Sequence, residues 1–236
     1  MIELRPFASL GRMDIDWLSA RYHFSFANYY EPARMGLGPL RVWNDDTIEP
    51  GGGFDPHGHR DMEIITYVRT GAISHRDHLG NRGRTEAGDV QVMSAGTGIQ
   101  HSEFNFEDQE TTLYQIWIAP SQTGVEPRWA QRRFPKAERA GQLVALASGR
   151  PGDETGDEGA LPIHQDAALL GATLLEGQSV THGLASGRRA YLVVADGRVE
   201  VDGETLGPRD GAVITEQASI TITARADSEL LLADLP

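Results

Sequence analysis

Four residues in two short clusters have side chains that together can bind one metal ion. His57 and His59 form the first cluster, and His101 and Glu103 form the second. Each pair has i, i+2 spacing, which on a β-strand places both side chains on the same face. Three imidazoles and a carboxylate leave one or two open positions on a six-coordinate ion. The spacing therefore predicts a metal site with the open coordination that catalysis requires.

Apolar and β-branched runs of strand length recur along the chain and are separated by Gly, Asn and Asp residues, which favour turns. The runs that predict strands are Met62–Val68, Asp89–Met93, Thr112–Ile118, Gln142–Ala147, Ala190–Val194, Val199–Val201, Ala212–Ile214, Ile220–Thr223 and Glu229–Leu232. Long helical periodicity is missing, and only the segment Arg128–Ala137 suggests short helical turns. The pattern predicts an all-β sandwich or barrel.

The chain has 236 residues, enough for one large all-β domain or two domains of ordinary size. The strand pattern changes after Glu126-Pro127 to the basic and aromatic stretch Arg128–Lys136. We interpret this stretch as a packing segment with solvated arginines, the alternative being an anion or partner site. We therefore predict an N-terminal domain at 1–130 with the metal site and a C-terminal domain at 131–236. The acidic, glycine-rich segment 149–159 is predicted to be a loop.

Composition limits the function classes. The formal net charge is −13, which disfavours direct binding to nucleic acid or to anionic membrane surfaces. Cysteine is absent from the sequence, so any metal must have nitrogen and oxygen ligands. The residues from Met1 to Leu18 lack the pattern of a signal peptide, and no apolar run is long enough to span a bilayer. We expect a cytoplasmic protein.

The residues around the two clusters resemble the pirin family, and especially its bacterial members that are similar to quercetin 2,3-dioxygenase. The resemblance is dense over residues 1–135 and thinner afterwards. It rests on Pro56-His57-Gly58-His59, Tyr67, His75-Arg76-Asp77, Gly80-Asn81, Gly88-Asp89-Val90-Gln91, Met93-Ser94-Ala95-Gly96-Thr97-Gly98-Ile99, His101-Ser102-Glu103 and Gln115-Ile116-Trp117-Ile118.

The resemblance implies two cupin barrels in tandem (a bicupin), with one metal ion in the N-terminal barrel. In pirins the ligands match His57, His59, His101 and Glu103 of this chain, and Glu63 remains a weak fifth candidate. The second half contains only His164 and His182, without i, i+2 partners, so we expect no metal site there. Fe(II) is the expected ion, with Zn, Ni, Mn, Co and Cu as alternatives. The remaining histidines are interpreted as core or surface residues: His23, His75, His78, His164 and His182.

The resemblance also implies a reaction, in which a flavonol-like aromatic substrate and O2 react with release of carbon monoxide. Glu103 would then be the general base that accepts the proton of the substrate hydroxyl. The alternatives are an oxygenase acting on another phenolic compound and a metal-binding regulator that acts through a protein partner. We expect a monomer. Four side chains near the motifs could line a substrate pocket or belong to the core: Phe54, Met93, Phe104 and Trp117.

Overall fold

The computed structural model describes residues 1–153 and 159–236, and in these residues it is almost entirely antiparallel β-structure. The short 3-10 helices are Phe7–Ser9, Pro32–Arg34 and Lys136–Arg139. The contacts divide the chain into two compact units. The N-terminal unit comprises Gly11–Phe134 and Leu161–Gln165, and the C-terminal unit comprises Met1–Leu10, Pro135–Ala160 and Asp166–Pro236.

The N-terminal unit contains two sheets. Its strands are β2 Gly11–Ile15, β3 Leu18–Tyr22, β4 Leu40–Ile48, β5 Gly53–His59, β6 Glu63–Thr70, β7 Ala72–Asp77, β8 Arg82–Glu86, β9 Val90–Ser94, β10 Ile99–Phe104, β11 Thr111–Ile118, β12 Arg128–Arg132 and β14 Leu161–Pro162. The larger sheet has the order β12-β9-β6-β11-β4-β3-β2, and the smaller sheet has the order β5-β10-β7-β8. Two antiparallel sheets with crossing connections form the cupin barrel.

The C-terminal unit repeats this arrangement. Its strands are β1 Ile2–Arg5, β13 Val144–Ser148, β15 Ala168–Leu174, β16 Ser179–Gly183, β17 Arg189–Asp196, β18 Val199–Val201, β19 Glu204–Leu206, β20 Gly211–Ile214, β21 Ser219–Ala224 and β22 Ser228–Leu235. The larger sheet includes β1-β20-β17-β22-β15-β13, and the smaller sheet has the order β16-β21-β18-β19. The protein therefore has two cupin barrels in tandem, as the sequence predicted.

Alternating burial along the strands builds the core of each barrel. In the C-terminal unit, residues such as Leu192, Ile222 and Leu232 form one large apolar cluster. In the N-terminal unit, one cluster surrounds Tyr22, Ile48 and Leu113, and a second contains Ile64, Met93 and Ile99. The N-terminal unit also has buried polar residues, which include the candidate metal ligands His101 and Glu103.

The structure differs from the predicted domain boundary and from the predicted helical turns. The predicted boundary after residue 130 assigned the first ten residues to the N-terminal domain, but β1 pairs with β20 and these residues belong to the C-terminal unit. The predicted helical turns in Arg128–Ala137 are in part a strand, because β12 pairs in register with β9; only Lys136–Arg139 is helical. Residues 154–158 of the predicted acidic loop lie outside the described part of the chain.

Among the described residues, no helix has the length and apolar character needed to cross a membrane.

Candidate metal centre

Three neighbouring strands of the smaller N-terminal sheet bring the candidate ligands together. Strand β10 lies between β5 and β7, and His101 is paired with His57 on one side and with Asp77 on the other. Glu103 is paired with His75 on β7. The pairing of β10 with β5 is irregular between His101 and Glu103, and such bulges change the direction of nearby side chains. Two i, i+2 pairs that are distant in sequence therefore meet on one barrel wall.

The three predicted histidine ligands form one cluster. A nitrogen atom of each of His57, His59 and His101 lies within 4.8 Å of the others. The ring centroids are 4.4 Å apart for His57 and His101, 4.8 Å for His57 and His59, and 5.0 Å for His59 and His101. His101 is buried, whereas His57 and His59 are partly exposed. The cluster is thus closed on the β10 side and open on the β5 side.

Burial keeps two of these imidazoles neutral. It lowers the pKa of His59 to about 4, and the neighbouring His57 adds to this shift. Burial lowers the pKa of His101 to about 2, with further contributions from His57, His59 and His75. A neutral imidazole keeps the nitrogen lone pair that a metal ion needs. The cluster is therefore ready to accept a cation at neutral pH.

A short hydrogen-bond chain sets the tautomer of His101. His75 Nε2 lies 3.2 Å from Asp77 Oδ2, and His75 Nδ1 lies 3.4 Å from His101 Nδ1. If His75 Nε2–H donates to the Asp77 carboxylate, His75 Nδ1 must accept, and His101 Nδ1–H is the donor. This pattern leaves the lone pair on His101 Nε2. The hydrogen bonds therefore determine which ring nitrogen of His101 can bind the metal.

Sequence reasoning did not find His75 and Asp77, which it treated as ordinary residues of the motif. Asp77 accepts three further hydrogen bonds, from the backbone nitrogens of Leu79 and Asn81 (2.9 and 3.0 Å) and from Asn81 Nδ2 (2.8 Å). The His75 ring stacks on Trp129 with its centroid 4.7 Å away and an angle of 7° between the planes. The i, i+2 spacing of His75 and Asp77 was the available signal in the sequence. Only the pairing of β7 with β10 shows that these two residues lie beside His101 and Glu103.

Glu103 is buried and follows His101 by two residues on β10. Its carboxylate falls in a second group with His75 and His101, in which the potential ligand atoms are within 4.8 Å of one another. Gln91 Nε2 donates to Glu103 Oε1, and Gln115 Nε2 donates to Oε2 at 3.1 Å. Burial raises the pKa of Glu103 to about 7, although these hydrogen bonds and one from Thr66 oppose the shift.

Glu63 takes no part in either group. Its Oε2 accepts a 2.6 Å hydrogen bond from Ser94 Oγ, and its Oε1 lies 3.2 Å from His164 Nδ1. Arg128 Nε also donates to Ser94 Oγ at 3.2 Å and so joins this network. Glu63 therefore faces a buried polar network with its own partners and lies away from the histidine cluster.

The open side of the cluster meets an apolar cavity. The cavity has a volume of about 440 Å3, and both His57 and His59 line it. This volume falls within the roughly 300–1,000 Å3 of small-molecule sites. Its walls are mainly aromatic and aliphatic side chains: Met13, Trp17, Leu18, Ala20, Tyr22, Phe26, Phe54 and Trp117. Trp117 meets the His59 ring edge to face, with centroids 5.0 Å apart.

The four side chains proposed as pocket or core divide into two pairs. Phe54 and Trp117 line the cavity. Met93 packs with Ile64 and Ile99 in an apolar cluster, and Phe104 stacks on Phe106 at a centroid distance of 5.6 Å. Only one pair therefore reaches the cavity.

The donor set fits a divalent metal. His101 Nε2 is buried and has no hydrogen-bond partner among the residues that the structure describes. A buried, unpaired imidazole nitrogen beside two further imidazoles is costly unless a cation is bound. Imidazole and carboxylate ligands suit borderline divalent ions of the first transition row. The histidine and glutamate side chains of this cluster therefore have the chemistry of a divalent metal site.

Comparisons with known proteins agree with this geometry. A model of the family described as Pirin matches residues 4–118, and a model described as the quercetinase C-terminal cupin domain matches residues 153–235. A pirin-like protein of Caulobacter vibrioides is 56% identical over 99% of both chains. The chain belongs to the pirin family.

Other pirin-family members add information about metal and activity. A protein of Escherichia coli K12 named quercetin 2,3-dioxygenase is 45% identical, over 100% of this chain and 99% of the relative. The crystal structure of the bacterial pirin YhhW from Escherichia coli in complex with nickel(II) has a TM-score of 0.92 and 43% identity, covering 100% of this chain and 99% of that one. Family membership and the His/Glu cluster establish a cupin protein of the metal-binding type.

Proposed function

We propose that this pirin is a metal-dependent dioxygenase that opens the heterocycle of flavonols with release of carbon monoxide, in the manner of quercetin 2,3-dioxygenase. One observation carries the proposal: the histidine cluster opens directly into an apolar, aromatic-walled cavity of about 440 Å3. An open coordination position at the end of a pocket that fits a flat aromatic molecule is what such a reaction needs. The name of the Escherichia coli relative supports the same reaction.

His57, His59 and His101 would hold the ion, and Glu103 would be the fourth ligand. Fe(II) is the ion that we propose, because a ligand set of histidines and one carboxylate with open positions suits it. A bound divalent ion would act as a Lewis acid towards the substrate hydroxyl and leave room for O2. The hydrogen-bond chain from Asp77 through His75 would keep His101 Nε2 directed at the ion.

Glu103 is the proposed general base. Its carboxylate is buried beside His101, and the amides of Gln91 and Gln115 fix its orientation. In this position it would accept the proton of the 3-hydroxyl group of a flavonol, which makes the ring more electron-rich towards O2. Ligation and proton transfer by the same carboxylate are compatible, since the carboxylate has two oxygens.

The cavity walls would position the substrate and exclude water. Trp17 and Phe54 pack edge to face at 5.1 Å, and so do Phe26 and Trp117 at 5.4 Å. Such rigid aromatic walls hold a planar ring system in one orientation. Exclusion of water would protect the deprotonated substrate until O2 reacts with it.

The presence of the cavity favours an enzyme over a regulator that acts only through its surface. A metal that served only as a structural element would have no use for an open coordination side that faces a substrate-sized pocket. An oxygenase for another phenolic compound would use the same pocket and the same base, and the assay below separates it from a flavonol enzyme.

The test is oxygen uptake with quercetin. The protein is stripped of metal, reconstituted with Fe(II) under anaerobic conditions and mixed with O2 while flavonol absorbance and carbon monoxide are followed. We expect quercetin loss with one O2 consumed and one CO released per turnover, dependent on the metal. Absence of turnover in protein with a full complement of Fe(II) would contradict flavonol cleavage, and a panel of other phenols would follow.

A further inference from the structure

Strand β4 contributes two polar residues to the largely apolar cavity. Asn44 and Asp46 are two residues apart, so they share a face of the strand, and both line the cavity. They are nearly inaccessible, with 4% and 2% of their surface exposed. The Oδ1 atom of each has no hydrogen-bond partner among the described residues. Buried acceptors without partners are rare and costly, so a ligand that donates hydrogen bonds is the natural complement.

The neighbouring strand β11 adds a donor without a partner on the same wall. Trp117 also lines the cavity, and its Nε1 is buried and unpaired within the described part of the chain. The cavity therefore offers both acceptors and a donor at its surface. A ligand that only fills the volume with apolar atoms would leave all three atoms unsatisfied.

The strand register places these polar atoms in one row with the candidate base. Asn44 pairs with Gln115 on β11, and residues paired in this way have Cβ atoms about 4.5–5.5 Å apart. Gln115 Nε2 in turn donates to Glu103 Oε2 at 3.1 Å. One side of the cavity thus carries a polar row from Glu103 to Asp46. Strand β5 contributes Asp55, His57 and His59, and the remaining walls are apolar.

We propose that Asn44 and Asp46 are specificity-determining residues that bind hydroxyl groups of the substrate other than the reacting one, so that the site selects polyhydroxylated flavonols. The inference rests on the proposed function. A phenolic hydroxyl can donate to Asn44 Oδ1 or to Asp46 Oδ1, while the planar rings occupy the apolar part of the cavity.

The charge state of Asp46 is suited to this role. Burial raises the pKa of Asp46 well above its usual range, and the neighbouring Asp45 and Glu103 add to the shift. A neutral carboxyl group both donates and accepts hydrogen bonds, as a phenolic hydroxyl does. It also attracts no cation into an apolar pocket.

The test compares two flavonols on the full-length, metal-loaded protein without O2. Quercetin has hydroxyl groups on both ring systems, whereas 3-hydroxyflavone retains the reacting hydroxyl and carbonyl groups but lacks the others. Binding is followed by quenching of tryptophan fluorescence. We expect wild-type protein to bind quercetin at least about tenfold more tightly, since unsatisfied buried acceptors penalise the poorer ligand. Equal affinities would overturn the proposal, and this result needs no variant.

Variants then assign the preference to residues. In Asn44→Leu and Asp46→Leu, quercetin affinity should fall about tenfold, while 3-hydroxyflavone affinity changes by less than about threefold. Thr47→Val is the matched control, because Thr47 lies on the opposite face of β4 and does not line the cavity. A preference unchanged in both leucine variants would contradict the assignment.

The same titrations distinguish a failure of the proposed reaction from a failure of the proposed substrate recognition. Selective binding that depends on Asn44 and Asp46, combined with no turnover after O2 is admitted, contradicts the proposed reaction and leaves the recognition intact. Turnover of both flavonols with equal affinities contradicts the recognition and leaves the reaction intact.

Discussion

The two barrels of this protein have corresponding strand orders in their smaller sheets, but the buried face of one sheet is polar and that of the other is apolar. Their smaller sheets have the orders β5-β10-β7-β8 and β16-β21-β18-β19, so β10 corresponds to β21 and β7 to β18. In the N-terminal unit the buried residues of these two strands include His75, Asp77, His101 and Glu103. In the C-terminal unit they include Val199, Val201, Ile220 and Ile222. The fold itself therefore does not require polar groups at these positions.

In the C-terminal unit, a buried carboxylate has several charged or polar partners instead. Asp234 accepts from Arg188 Nε at 2.6 Å and from Arg150 at 2.5 Å, and His182 Nε2 lies 2.8 Å away. In the N-terminal unit, by contrast, His101 Nε2 and the Oδ1 atoms of Asn44 and Asp46 have no partner among the described residues. A buried polar atom without a protein partner needs an explanation, and for atoms that lie beside the histidine cluster and its cavity that explanation is a bound ligand.

The largest expected effect is the loss of metal in His101→Ala. His101 lies at the centre of the histidine cluster and belongs to both groups of potential ligands. We expect the variant to retain its fold by circular dichroism but to lose stoichiometric metal, measured by mass spectrometry of the eluted ion. His182→Ala on β16 is the matched control and should keep its metal. Metal retained in the His101 variant would show that the cluster is assigned wrongly.

Glu103→Gln should reduce turnover by at least about 100-fold, because an amide cannot accept the substrate proton. The side chains have nearly the same shape, so the variant should fold, with at most the loss of one hydrogen bond to Gln91 or Gln115, and circular dichroism checks this. Glu63→Gln is the control, since Glu63 lies in a separate network with Ser94 and His164 and should keep its turnover. An unchanged turnover number in Glu103→Gln would remove Glu103 as the base.

Asp234→Asn should destabilise the protein by about 3 kcal/mol at pH 7, because it leaves buried positive charge without its partner. Burial alone would raise the pKa of Asp234, but His182, Arg188 and Arg150 hold it below its usual range. The native carboxylate therefore stabilises the fold above about pH 4, and this contribution is lost as the pH falls further. Urea unfolding from pH 7 to pH 3 should show the difference between the two proteins shrinking, and a constant difference would contradict the pairing.

A smaller effect is expected for His75→Phe and Asp77→Asn, which interrupt the hydrogen-bond chain to His101. The ligands themselves remain, so metal should still bind, but with an affinity reduced about 10- to 100-fold. Competition with a chromophoric chelator measures this change. His78→Ala is the control, because His78 accepts a hydrogen bond from the backbone nitrogen of Gln100 and takes no part in the hydrogen bonds that link Asp77, His75 and His101. Wild-type metal affinity in both variants would show that the hydrogen bonds from Asp77 through His75 to His101 do not affect metal binding.

Much of the fold followed from local pattern. All nine predicted runs overlap strands of the structure. The strands between residues 11 and 48 were missed, and so were β1, β7, β8, β15, β16 and β19. Strand β4 illustrates the reason, since Asn44, Asp45 and Asp46 interrupt its apolar pattern although all three are buried. Such polar residues are tolerated there because they serve a site or an ion pair, as Asp45 does with Arg69.

The sequence predicted only those site residues that lie close to one another along the chain. The i, i+2 pairs of His57 with His59 and His101 with Glu103 are visible in the sequence, and the structure brings the three histidines together. The roles of His75 and Asn44 depend on the pairing of β7 with β10 and of β4 with β11. Register between strands distant in sequence is a property of the whole sheet, so no local pattern indicates it.

The most direct test of the account is an anomalous difference map, recorded at the iron absorption edge from crystals of the Fe(II)-reconstituted protein. We predict one strong peak per chain, bound by ring nitrogens of His57, His59 and His101 with a Glu103 oxygen as the fourth ligand, on the side that opens into the cavity. A peak at any other position, or no peak in protein shown to contain iron, would contradict the metal centre on which the proposed reaction depends.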